Sequence, residues 1–114
     1  MKFIFMFFLL LVFNQANAAF YSGEELLKIC KVDSNSSKSF NEGECKVYIE
    51  GIYDAYVSFN KWGLIADTLC LTDGVSSTEL VRASTKYMED QPEKMNEDAS
   101  GLVLNALADA FPCK

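Results

Sequence analysis

The chain has 114 residues, with 16 acidic and 10 basic side chains and a formal net charge of −6 at pH 7. It contains no His, which excludes Ser-His-Asp and Cys-His catalysis and the zinc sites that use His ligands. An acidic chain without a basic cluster is also a poor match for nucleic acid or for an anionic lipid surface, so we exclude both as partners.

The N-terminal residues have the pattern of a secretory signal peptide. Lys2 supplies a positive charge, Phe3–Phe13 is an unbroken apolar run, and Ala16–Ala18 has the small-x-small pattern of a cleavage site. The apolar run is shorter than the roughly 20 residues that cross a bilayer. We therefore predict a signal peptide over 1–18 and one mature domain over 19–114, which is exported and has no stable membrane association after cleavage.

The mature chain reads as four helices and no strand. Two capping boxes, Ser22–Glu25 and Ser76–Glu79, predict the starts of the first and third helices. The first helix is expected to end close to Cys30. A fourth helix, with Pro92 in its first turn, is predicted to continue to Pro112 because apolar residues recur at intervals of three and four. The predicted fold class is all-α, a small four-helix bundle.

The second predicted helix, over 44–61, carries rings at helical spacing. Tyr48, Tyr56 and Phe59 fall on one stripe with Ile52, and an apolar arc this wide is typical of a helix that is contacted on more than one side. We interpret this helix as the central one and its in-phase rings as core. A ring-lined binding groove is the alternative, and Trp62 at the helix end fits either interpretation.

Four cysteines, at positions 30, 45, 70 and 113, allow three disulfide connectivities. Cys30 and Cys45 lie near helix ends joined by one loop, and Cys70 and Cys113 meet at one end of the bundle if the last two helices are antiparallel. Because a disulfide needs Cα atoms about 5–6 Å apart, we favour Cys30–Cys45 with Cys70–Cys113 over the other pairings. Their spacing lacks the close pair of a Cys₄ zinc site, so we predict no metal and no cofactor.

Carboxylates that occur in pairs along the chain are numerous, and they are the candidates for acid–base catalysis. They occur at positions 24, 25, 73, 79, 89, 90, 97 and 98. Two carboxylates about 5–9.5 Å apart suffice for glycoside hydrolysis. Most of these residues fall at predicted helix starts or on polar faces, where charge favours the helix dipole and solvent. We therefore predict that the protein is not an enzyme, and a two-carboxylate hydrolase ranks last among the hypotheses.

Short motifs along the mature chain resemble one family. They are Tyr21-Ser22-Gly23, Glu25-Leu26-Leu27, Cys30, Cys45, Tyr48-Ile49-x-Gly51, Asp54-Ala55, Cys70, Gly74-Val75, Tyr87-Met88, Pro92-Glu93, Ala99, Leu102-Val103, Ala106-Leu107 and Ala110-Phe111-Pro112-Cys113. With these the chain resembles the Rap/Tai immunity proteins, which protect bacteria from type VI secreted cell-wall amidases. It departs from the family pattern at residues 71–75, where a Pro is common, and at Asn96, where a His is frequent.

The resemblance implies a small, helical periplasmic protein, often a homodimer, that binds a peptidoglycan amidase and blocks its cleft. We expect the blocking element to be the loop Leu71, Thr72, Asp73 and Gly74, because a disulfide at Cys70 would hold its base while Asp73-Gly74 forms an exposed turn. The alternative for this loop is a simple lead into the next helix.

A second function remains open from the sequence. A periplasmic chaperone or stress-response protein of small helical type would expose apolar surface in acid, as the 16 carboxylates lose their charge below about pH 4. Two disulfides oppose large opening, so this hypothesis ranks second.

Overall fold

The structure is a computed structural model that describes residues 19–35 and 42–114. It contains four α-helices: α1 (Gly23–Asn35), α2 (Glu42–Lys61), α3 (Ser77–Glu89) and α4 (Ala99–Ala110), with a 3₁₀ turn, Pro92–Lys94, before α4. Within these residues, β structure is limited to two isolated bridges. The predicted all-α bundle is confirmed, whereas the predicted signal peptide over 1–18 lies outside the described residues.

The start of α1 is paired with the chain that precedes α4. Ser22 and Glu25 form the predicted capping box, with Ser22 N–H donating to the Glu25 carboxylate at 3.1 Å and Glu25 N–H donating to Ser22 Oγ at 3.3 Å. Two further amides of the first turn of α1, at positions 23 and 24, donate to the carbonyls of Glu97 and Met95 at 2.9 and 3.0 Å. The unpaired N–H groups that every helix start carries are thereby satisfied.

This pairing explains why the last helix is shorter than predicted. In a helix that continued from Pro92, the carbonyls of Met95 and Glu97 would accept hydrogen bonds from amides of that same helix. In the structure these carbonyls accept hydrogen bonds from amides of α1 instead. The chain is extended at Asp98, and α4 begins only at Ala99. The predicted end of α1 near Cys30 is also wrong, since the helix continues to Asn35 and no Gly or Pro interrupts it there.

Gly23 lies where these two segments come closest. A Cβ at this position would clash with Leu102 Cδ1 and would lie 3.3 Å from the Met95 Cα. Leu102 is only 1% exposed, so its side chain has little space into which it can move. The sequence Ser-Gly therefore combines a cap with the close approach of α1 to α4.

The core lies among all four helices, each of which contacts the other three. Its most buried element is α4, which contributes Ala99, Leu102, Val103, Ala106 and Leu107. The second helix is contacted by all three others, as predicted for a central helix, but it is less buried than α4: of its 20 residues, the buried side chains are Cys45, Ile49 and Tyr56. Small side chains on α4 let the other helices approach it closely.

Both disulfides of the favoured connectivity are present. The Cα atoms of Cys30 and Cys45 are 5.0 Å apart, and those of Cys70 and Cys113 are 4.9 Å apart. The first joins α1 to α2, and the second joins the segment before α3 to the end of the chain. The connectivity prediction is confirmed.

The ring stripe of α2 divides at its last turn. Tyr56 is buried, as predicted, but Phe59 is 44% exposed, so the assignment of Phe59 to the core is wrong. Trp62 is 68% exposed. Helical periodicity identifies which residues share a face, but it does not say how far along the helix that face is covered by neighbours.

Ser84 is a polar residue within the core. It lies on the inner face of α3 with Leu80 and Met88 and is fully buried. Its Oγ has no hydrogen-bond partner among the described residues, whereas Thr85 Oγ1 next to it donates to the Val81 carbonyl at 2.9 Å. A buried polar atom without a partner costs free energy.

Gly23→Ala is expected to lower the free energy of unfolding by about 1–3 kcal/mol, because the added methyl group overpacks the contact with Leu102 and Met95. The matched control is Gly101→Ala in α4, where a Cβ would meet nothing within 4 Å. That change should raise stability by roughly 0.5–1 kcal/mol through helix propensity. Urea unfolding of both variants tests the contact, and equal effects would contradict it.

Ser84→Ala is expected to leave stability unchanged or to raise it by about 1 kcal/mol, because it removes an unpaired hydroxyl from the core. Thermal unfolding checks this change. A loss of stability greater than about 1 kcal/mol would mean that the hydroxyl makes a stabilising hydrogen bond.

Candidate functional site

The candidate site lies in the segment between α2 and α3, residues 62–76, which we name the connecting segment. Its start is a Schellman motif: Gly63 N–H donates to the Asn60 carbonyl at 2.9 Å, and Leu64 N–H donates to the Phe59 carbonyl at 3.0 Å. Gly63 has a φ of 70°, which glycine adopts without the steric cost of a Cβ. The helix therefore ends sharply, and the chain turns back along it.

The hydroxyl of Tyr56 organises the middle of the connecting segment. It accepts hydrogen bonds from the amides of Thr68 and Leu69 at 2.9 and 3.0 Å, and it donates to the Ala66 carbonyl at 3.3 Å. Burial by itself would raise the pKa of Tyr56, but the two amide donors outweigh burial, so this pKa lies below its ordinary value. One side chain of α2 thus satisfies three backbone groups of the segment.

A third set of bonds holds the segment to the end of the chain. Leu69 forms a bridge with Pro112, Cys70 N–H donates to the Phe111 carbonyl at 2.9 Å, and Cys70 is disulfide-bonded to Cys113. Leu69 is also buried, at 5% exposure. The residues that follow Cys70 therefore emerge from a base fixed by covalent, hydrogen-bond and apolar contacts.

The loop predicted to block the amidase cleft, residues 71–74, directly follows Cys70 in the sequence. Thr72, Asp73 and Gly74 are exposed and Leu71 is half-buried. Val75 N–H donates to the Thr72 carbonyl at 3.4 Å, and Gly74 has a φ of 88°, as the third position of a type II turn requires. The exposed turn has the form expected from the sequence, and its role in contacting a partner remains a prediction.

The loop ends where α3 begins. Ser76 caps α3 in the predicted box with Glu79: Ser76 Oγ accepts from Glu79 N–H at 3.3 Å, and the Glu79 carboxylate accepts from Ser76 N–H at 2.7 Å. These bonds from the backbone and side chain of Ser76 hold the pKa of Glu79 below its ordinary value. Both ends of the loop are thus fixed by local chemistry.

Behind the loop lies an open cleft of about 300 Å³ with acidic walls. It is lined by Glu50, Tyr53, Asp54, Leu71, Val75, Ser77 and Leu80. Glu50 accepts a hydrogen bond from Ser77 Oγ and forms an ion pair with Lys46 at 3.9 Å, whereas Asp54 is exposed. The loop and cleft together present Asp54 and Asp73 to solvent.

Several of the candidate catalytic carboxylates have structural partners. Glu25 and Glu79 belong to the capping boxes, Asp90 pairs with Lys86 at 2.8 Å, and Glu89 lies 3.9 Å from Lys31. In the described ranges, no group of three or more His, Cys, Asp or Glu side chains is arranged to hold a metal ion.

Across residues 19–35 and 42–114, none of the helices has both the length and the apolar character needed to cross a membrane.

The structure adds two exposed residues that the sequence interpretation did not single out. Leu64 and Ile65 are 67% and 39% exposed. They directly follow Trp62 and the glycine of the Schellman motif, and an apolar pair immediately after a helix-ending glycine is the signal that would have identified them. With Phe59 and Trp62 they form an exposed apolar surface at the start of the connecting segment, which also carries the predicted loop.

Tyr56→Phe is expected to lower the free energy of unfolding by about 1–3 kcal/mol, because it leaves the amides of Thr68 and Leu69 without their acceptor. The matched control is Tyr53→Phe, since the Tyr53 hydroxyl makes no hydrogen bond within the part of the chain that the structure describes. Urea unfolding and hydrogen exchange at Leu69 test the prediction. Equal stability of the two variants would contradict the assigned role of Tyr56.

Comparison with known proteins gives one family. The family model for Rap1a immunity proteins matches residues 22–113, a range that includes both disulfides, the connecting segment and all of α2, α3 and α4. No curated protein matches the chain. The match begins at the Ser22 cap and ends at Cys113. The chain belongs to the Rap1a family of immunity proteins.

Proposed function

We propose that this protein is a periplasmic immunity protein that binds a type VI secreted peptidoglycan amidase and occludes its active-site cleft. The observation that carries the proposal is the family match over residues 22–113, which spans the whole described bundle apart from a few terminal residues. Such a protein acts by binding and needs no catalytic group of its own.

An oxidising compartment supports the periplasmic part of the proposal. Two disulfides stabilise the bundle, and disulfides persist mainly in exported proteins. The sequence of residues 1–18 has the features of a signal peptide. A type VI amidase acts on the cell wall, so its inhibitor has to be on the same side of the inner membrane.

The loop Leu71–Gly74 is the element that we assign to the amidase cleft. An occluding loop has to keep its shape when it is inserted, because each residue ordered on binding costs about 1–2 kcal/mol of entropy. Here the disulfide at Cys70 fixes the base on one side and the Ser76 cap fixes the other. The loop is therefore ordered before binding, which favours high affinity.

Charge supports a partner with a basic rim around its cleft. Asp73 and Asp54 are exposed at the loop and the neighbouring cleft, and the whole chain carries a net charge of −6. Complementary charge speeds association and selects between partners more than it adds affinity. We expect a dissociation constant of about 1 nM or lower, which corresponds to about −12.3 kcal/mol.

The test is inhibition of a type VI secreted peptidoglycan amidase, captured from the cell envelope with the oxidised mature protein as bait and assayed as release of soluble peptides from purified peptidoglycan. The oxidised mature protein should inhibit at a near-stoichiometric ratio. Asp73→Arg should weaken inhibition by at least about 10-fold, because it reverses the charge at the tip of the loop. The matched control, Glu93→Arg on the exposed 3₁₀ turn, makes the same charge change elsewhere and should have less than about a threefold effect.

Two results would contradict different parts of the proposal. If the folded, oxidised protein does not inhibit the amidase, the assigned function is wrong. If it inhibits but Asp73→Arg and Glu93→Arg behave alike, the function holds and the assignment of the loop is wrong. Sedimentation of the complex gives its stoichiometry and shows whether the protein binds as a homodimer.

A further inference from the structure

A second surface of the connecting segment carries the features of a protein-binding site. Phe59, Trp62, Leu64 and Ile65, which we name the apolar patch, are 44%, 68%, 67% and 39% exposed. Scattered exposed apolar residues are normal on a soluble protein, but these four lie within seven positions at one helix end, and the rings of two of them are in contact. Exposed apolar residues that cluster in this way often mark a site of interaction.

Backbone geometry holds the apolar patch together. The Schellman motif bonds the amide of Leu64 to the carbonyl of Phe59 at 3.0 Å, so these residues lie side by side although five positions apart. The rings of Phe59 and Trp62 meet edge to face, with centroids 5.9 Å apart. Asn60 Nδ2 adds bonds to the Asp67 carboxylate at 2.6 Å and to the Ile65 carbonyl at 3.4 Å. The patch is therefore ordered without a partner.

The patch continues into a groove of about 250 Å³ between α2, the connecting segment and α4. Its walls include Tyr56, Ile65, Leu69, Leu104, Asn105 and Ala108. The Tyr56 hydroxyl is already hydrogen-bonded to the backbone of the segment, so it needs no hydrogen-bond partner from a ligand. A groove of this size beside exposed rings accommodates one or two large apolar side chains of a partner.

The chain carries a net charge of −6, and two exposed carboxylates adjoin residues of the groove wall in the sequence. Asp67 lies between Ala66 and Thr68 of the connecting segment, and Asp109 lies one turn after Asn105 on α4. Lys61 and Lys114 are the cations that flank these segments in the sequence. In a twofold homodimer the same surface meets itself, which would bring these carboxylates toward their copies. A partner that carries basic residues beside its apolar side chain avoids that repulsion.

We propose that the apolar patch and its groove anchor the secreted effector, by taking up an aromatic or aliphatic side chain that is flanked by Lys or Arg on the effector surface. The inference rests on the proposed immunity function and adds a second contact to the loop Leu71–Gly74. Ile65 and Asp73 are eight residues apart, so their Cα atoms are at most about 28 Å apart. An interface of standard size, about 800 Å² per partner, is wide enough to span that distance.

Trp62 makes the proposal directly measurable, because it is the single tryptophan of the chain. The probe is the amidase used in the inhibition assay, and Trp62→Phe, measured in parallel, gives the signal of the amidase alone. Complex formation should shift the emission of Trp62 to the blue as the ring leaves water. An unchanged Trp62 spectrum in a formed complex would overturn the proposal.

Affinity measurements provide the second readout. Trp62→Ala and Leu64→Ser, both at exposed positions, should weaken binding about 10- to 100-fold, as expected for residues at the centre of an interface. Val47→Ala is the matched control, since Val47 is a 63% exposed apolar residue on α2 outside the patch. It should change affinity by less than about threefold. Equal effects at positions 47 and 62 would overturn the proposal.

The remaining outcomes separate this inference from the proposed function. If the amidase is inhibited but the patch variants inhibit normally, the function stands and the patch inference is wrong. If no inhibition occurs, a synthetic Lys-Phe-Lys-Leu-Lys peptide is added to the protein, and a peptide with Glu in place of each Lys is added in a parallel titration. A blue shift of Trp62 emission with the basic peptide alone supports the patch inference. No shift, or equal shifts with the two peptides, overturns it. A homodimer that Trp62→Ala dissociates would also overturn it.

Discussion

The attachment of Leu69 and Cys70 to the end of α4 is the constraint on which the surface of this protein depends. The antiparallel bridge between Leu69 and Pro112, which includes the bond from Cys70 N–H to the Phe111 carbonyl, and the disulfide to Cys113 converge there. Without them, residues 62–76 would be a long loop whose ordering entropy opposes any tight contact. With them, the exposed loop and the apolar patch become rigid projections of the bundle.

Tyr56 links that attachment to the core. Its ring is buried within the bundle while its hydroxyl satisfies three backbone groups of the connecting segment. A buried amide without an acceptor costs about 1–3 kcal/mol, so the segment and α2 have to fold together. The rigidity that a binding protein needs is thus supplied by an ordinary core residue.

The two surfaces of the connecting segment suit different tasks in recognition. The loop around Asp73 projects charge, which affects the rate of encounter and the choice of partner. The patch around Trp62 offers apolar area and a preformed groove, which affect the lifetime of a complex. Placing both on one ordered segment allows a domain of this size to present them to a single protein.

Local sequence determined the helices, the two capping boxes and the exposed Asp73-Gly74 turn, because caps, turns and apolar periodicity act over a few residues. Cysteine positions at helix ends also favoured the correct disulfides. Only the tertiary structure decided that Met95 and Glu97 pair with α1 rather than extend α4, and that Phe59 is exposed while Tyr56 is buried. These outcomes depend on which distant segment covers a given face, and periodicity along one helix carries no information about that coverage.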